Sequence, residues 1–96
     1  MKLTRKGFQA WLESKNRRQV VGYRYEDCSG ERYCPLAQYL RETFHPEARV
    51  GSLFIFIGVI QFTKLPRWAM DFVNRVDRGP TRITAARALK YLEGKR

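Results

Sequence analysis

Apolar positions in this sequence follow a helical 3–4 spacing in four segments and a strand-like pattern in two. Thr4 can cap the first helix, with Leu3 before the cap and Phe8 inside it forming a hydrophobic staple. Phe8, Trp11 and Leu12 then share one face, and Asn16-Arg17-Arg18 ends the helix. Gln19 to Tyr25 reads as a short, half-exposed strand in which Val21, Tyr23 and Tyr25 alternate with Gly22 and Arg24. After a polar turn from Glu26 to Glu31, Cys34-Pro35 places proline where a second helix begins, with Leu36, Ala37, Leu40 and Phe44 as its buried face.

His45-Pro46 closes that helix, and the densest apolar run follows, from Leu53 to Phe62. Gly58 divides the run, which fits either one strand with a bulge or a tight hairpin; the favoured reading is a single bent strand pairing with residues 19–25. Leu65-Pro66 opens the third helix. Its Leu65, Trp68, Ala69, Phe72, Val73 and Val76 hold the 3–4 spacing over three turns, and Arg67, Asp71 and Arg75 make the solvated face. Asp77-Arg78-Gly79-Pro80 stops it. Thr84 then caps a fourth helix whose inner stripe is Ala85, Ala88, Leu89 and Leu92, with Gly94 as terminator. The predicted fold class is α+β: one basic domain over residues 1–96, with four short helices around a two- or three-stranded antiparallel sheet.

Composition adds that this domain folds and that it is unevenly charged. Hydrophobic residues are 44% and aromatics 14% of the 11.4 kDa chain, far too many for a disordered basic tail and enough for one thin core. The apolar run is much shorter than the about 20 residues a spanning helix needs. No apolar segment follows the basic start Met1 to Lys6, so the expectation is a cytoplasmic protein that does not engage a membrane. The formal net charge is +10, with thirteen arginines against six lysines. Residues 1–24 sum to +6, residues 25–48 to −3 and residues 49–96 to +7, so positive charge sits towards both ends. Such a surface suits nucleic acid, an acidic protein, or a nucleoprotein complex.

The candidate interface is Tyr23-Arg24-Tyr25 beside Arg17 and Arg18, because strand aromatics can stack bases while neighbouring arginines hold phosphates. Packing of both tyrosines against the core is the competing reading. Arg82, Arg87 and Lys90 add a second basic group around the fourth helix, although the connection from Arg78 to Ile83 is longer than a helix-turn-helix turn. Cys34 stands at a helix N-terminus, where a thiol can become nucleophilic. Its nearest candidate base, His45, would lie about 16 Å away across the second helix. A packed thiol is therefore expected, with a Cys34-dependent enzyme as an alternative. Cys28 and Cys34, with five residues between them, are read as free thiols and too widely spaced for a usual zinc pair. No catalytic residue, metal or cofactor is predicted. The expected protein is a non-enzymatic binder, with a homodimeric adaptor for an acidic protein partner as the alternative.

Val20-Val21-Gly22, Cys34-Pro35-Leu36-Ala37-Gln38-Tyr39-Leu40, Trp68 to Val73 with Asp77, and Ile83-Thr84-Ala85-Ala86 with Ala88-Leu89 form an ordered set of short motifs. This order resembles a group of small uncharacterised bacterial, phage or plasmid proteins. The resemblance implies shared architecture and a home on a mobile element, where compact proteins inhibit or adapt host machinery. An inhibitor of a host defence complex, of the anti-CRISPR type, is the specific role it suggests; it transfers no catalytic residue.

Overall fold

The computed structural model describes residues 3–23, 33–51 and 53–94. In chain order the elements are α1 (Arg5–Glu13), β1 (Val20–Tyr23), α2 (Pro35–Thr43), β2 (Ala48–Val50), β3 (Phe54–Ile57), β4 (Ile60–Lys64), α3 (Arg67–Asp77), β5 (Arg82–Thr84) and α4 (Ala85–Leu92). The α+β class holds, with two small antiparallel sheets, β1–β5 and β2–β3–β4. Helix α2 touches both β1 and β2, while α1 and α3 pack on α4. Among the described residues, no helix is long and apolar enough to cross a membrane.

The helices begin where local chemistry starts them. Thr4 Oγ1 accepts the Gly7 amide at 3.0 Å, and Leu3 packs against the core beside it. Phe8, fully buried, is the centre of an aromatic group: the Phe72 ring meets it edge-on at 5.0 Å, with Tyr39 at 5.3 Å and Trp68 at 6.1 Å. Cys34 caps α2 ahead of Pro35. Thr84 Oγ1 caps α4 by accepting the Arg87 amide at 3.3 Å, and Gly94 follows that helix with φ +89°. The expected stripe of α3 is buried at Leu65, Ala69, Phe72, Val73 and Val76, with Trp68 half-buried.

Several expectations are corrected. Helix α1 stops at Glu13, because the Ser14 hydroxyl donates to the Trp11 carbonyl at 2.6 Å and the Asn16 side chain accepts the Arg18 amide at 2.9 Å, turning the chain early. Phe44 is 37% exposed; it follows the last residue of α2 and lies against the Phe62 ring at 5.4 Å, outside the core. On α4 the buried stripe includes Tyr91, while Leu89 is only partly buried. Arg75 is not a free surface residue, since it donates to the Tyr91 carbonyl at 2.8 Å.

The largest correction concerns the strands. The apolar run is a hairpin: β3 and β4 pair antiparallel with Ile57 opposite Ile60, and Gly58 takes φ +60° in the two-residue turn, a conformation that favours glycine. β3 also pairs with β2, and β1 pairs with β5 instead of the apolar run. A bulge between Val20 and Gly22 breaks the alternation in β1, so Val21 and Gly22 are both buried. Gly22 is needed for close approach. A Cβ there would meet the Pro35 nitrogen at 2.6 Å and the Tyr33 carbonyl oxygen at 2.7 Å, so β1 runs directly against the start of α2. Tyr25, Arg24 and Cys28 lie outside the described residues.

Candidate functional site

The β1–β5 pairing brings together two basic segments that are about sixty residues apart in sequence. Tyr23 stands opposite Arg82 and Val20 opposite Thr84. Beyond the strands, the Ala85 amide donates to the Gln19 carbonyl at 2.9 Å and the Ala86 amide to the Arg17 carbonyl at 3.1 Å. The backbone at Arg17 is thereby tied to the first turn of α4, next to Arg87. Arg17, Arg18, Arg82, Arg87 and Lys90 are all exposed. Among the described residues, none of these five forms an ion pair.

Arg87 also belongs to a concavity that the sequence reading missed. Arg75, Arg78, Gly79, Pro80, Arg87 and Tyr91 line a recess of about 210 Å3 between the end of α3 and α4. Three arginines contribute to it and no carboxylate does. Arg75 is oriented by its bond to the Tyr91 carbonyl, and the Tyr91 hydroxyl lies so close to Gly79 that a Cβ at that position would overlap it. Arg78 is exposed and forms no ion pair among the described residues. A shallower recess continues along α3 past Arg75 and Arg78 to Asn74 and Asp71, whose carboxylate is engaged by Arg67 at 3.3 Å. Guanidinium groups that share a recess without carboxylates repel one another until an anion enters, and their planar donor forks match phosphate oxygens. Arg75 lies on the face of α3 that the sequence assigns to solvent and Arg78 is the residue that ends the helix; only the fold of α3 against α4 shows that they meet Arg87.

Tyr23 is half-buried and engaged with a neighbour, so it is not a freely exposed stacking platform. It lines a second recess, about 190 Å3, with Trp11, Lys15, Gln38 and Glu42 between α1, β1 and α2. Lys15 is neutralised there by Glu42 at 3.5 Å and lies over the Trp11 ring at 4.9 Å. That recess is therefore less cationic than the arginine recess.

Cys34 is buried at 4% exposure, and its sulfur accepts the Ala37 amide at 3.4 Å as the cap of α2. Burial raises its pKa from the ordinary 9.0 to about 11, against the opposing pull of the backbone amides. The thiol is protonated at neutral pH. His45 lies beyond the far end of α2, where its Nδ1 accepts the Glu47 amide at 3.1 Å. Among the described residues, no group of three or more His, Cys, Asp or Glu side chains could hold a metal ion. No protein-family model, curated protein or solved structure matches this chain.

Proposed function

We propose that this protein binds the phosphate backbone of a nucleic acid, without catalysis, through an arginine face running from Arg17 and Arg18 across Arg87 to Arg78 and Arg75, with Arg82 and Lys90 on its borders. The observation that carries this reading is the recess in which Arg75, Arg78 and Arg87 meet with no carboxylate among the lining residues. Backbone contacts of this kind fix a protein on a strand with little regard to sequence, because phosphate oxygens are the same at every step. A mobile-element protein with such a face would act on a host defence complex by competing for its guide or target strand.

The test is fluorescence anisotropy with short single-stranded and double-stranded oligonucleotides at low salt, comparing the wild type with an Arg17→Gln, Arg78→Gln, Arg87→Gln variant. All three side chains are exposed, so the variant is expected to stay folded. The wild type should bind, and the variant should lose more than about tenfold in affinity, since each charge-assisted bond contributes about 1.5–3 kcal/mol. A folded wild type that binds neither oligonucleotide overturns the reading and leaves an acidic protein as the partner.

A further inference from the structure

Among the described residues, the second sheet ends in an edge with no partner strand. β4 is an outer strand of the β2–β3–β4 sheet, and all five of its residues are exposed. Ile60 is 65% exposed and Phe62 45%, and Val59 at the turn is 96% exposed. Phe62 is the extra residue of a bulge in the β3–β4 ladder and touches the exposed Phe44, so the apolar strip continues from the strand onto the end of α2. Residues 50–63 are fourteen consecutive positions without a charged side chain, in a chain where 29% of residues are charged. Soluble proteins normally blunt such edges with charge, proline, a bulge or cover, because an open strand carries unpaired amides and carbonyls that template pairing; β4 has the bulge at Phe62, yet its apolar side chains stay exposed. Here Lys64, at the far end, is the charged residue of the strand.

We propose that β4 pairs antiparallel with β4 of a second copy of this chain about a two-fold axis, joining two three-stranded sheets into one of six strands. The choice of a second copy rests on charge. A two-fold interface sets one patch against itself, so a patch that carries one sign of charge meets the same sign. A chain of net charge +10 repels its copy on most faces, and the uncharged edge is where self-contact carries no such cost. A pairing centred on Phe62 sets Phe62 against its counterpart and Lys64 against Ile60 of the other copy. The two Lys64 positions then lie about 14 Å apart along the strands, beyond the about 8 Å screening length at physiological salt. The pairing uses a different sheet from the arginine face and does not depend on nucleic-acid binding.

Sedimentation velocity across a dilution series reaching about 100 μM is the test, because a short strand-edge interface belongs to the small, transient class. The wild type should shift from monomer to dimer as concentration rises. Phe62→Lys alone and Phe62→Glu alone should each remain monomeric, because each sets like charges on the axis, and an equimolar mixture of the two should recover the dimer. Circular dichroism melts confirm that the variants fold; if either does not, Ile60→Lys, which sets a lysine against Lys64 of the other copy, takes the place of the pair and its mixture, and it too should remain monomeric. A wild type that stays monomeric throughout, a Phe62→Lys protein that dimerises like the wild type, a mixture that fails to associate, or a wild-type ladder of larger oligomers each overturns the proposal.

Discussion

The β1–β5 ribbon and the β2–β3–β4 sheet are both small antiparallel sheets joined to α2, yet they place their polarity differently. In the ribbon, Val21, Gly22 and Ile83 are buried, and the outward positions fall to Arg82 and the neighbouring Arg17 and Arg18. In the other sheet Ala48, Val50 and Ile55 are buried, but the outer strand shows Ile60 and Phe62 to solvent. The ribbon is anchored through its backbone as well, because Gly22 lies against the start of α2 with no room for a side chain. The contrast separates two kinds of surface. Exposed arginine is solvated at rest and gains by meeting an anion, whereas exposed apolar side chains gain by leaving water.

The comparison breaks first in the core if it is wrong. Phe72→Ala removes a buried ring from between Phe8 and Tyr91, and should cost about 3–5 kcal/mol in denaturant melts. A loss below about 1 kcal/mol would remove α3 from the core. Cys34 gives the next effect. Its thiol titrates near 9.0 unfolded and near 11 folded, so the unfolded chain releases its proton first and stability must fall as pH rises through that window. Wild type minus Cys34→Ala should show a decline of about 2–3 kcal/mol between pH 9 and pH 11, and no difference in slope below pH 8. A flat difference would mean the thiol is open to solvent.

Gly22→Ala tests the anchoring of the ribbon. Overpacking against the Pro35 backbone should cost about 1–3 kcal/mol and displace β1, weakening oligonucleotide binding as well as stability. The smallest effect is expected in the hairpin, where Val59→Ser and Ile60→Ser should change monomer stability by no more than about 0.5 kcal/mol. A larger loss in either would show that the exposed strand is held by the core after all.

The helices were legible because each carries its own signal: Thr4 and Thr84 as caps, Cys34-Pro35 as a start, and the stripe from Leu65 to Val76. The sheet pairings were not. β5 is three residues with a single buried position, Ile83, which leaves no period to read, so the long apolar run looked like the better partner for β1. The turn at Gly58 could be placed, but only its φ of +60° separates a hairpin from a bent strand. Arg17, Arg18, Arg82, Arg87 and Lys90 were visible as exposed charge. That Arg75 and Arg78 join Arg87 in one recess was not legible, because their meeting depends on how α3 packs against α4.

The central claim is that the arginine face grips phosphates, and a salt titration of oligonucleotide binding tests it most directly. Each phosphate contact releases condensed counterions and contributes about 0.7 to the slope of log affinity against log salt for a single strand, or about 0.9 for duplex DNA. The Arg17→Gln, Arg78→Gln, Arg87→Gln variant should therefore lose about two to three units of slope relative to the wild type while its melting curve stays in place. An unchanged slope in a folded variant would contradict the account, since whatever binds the strand would then lie elsewhere on the molecule.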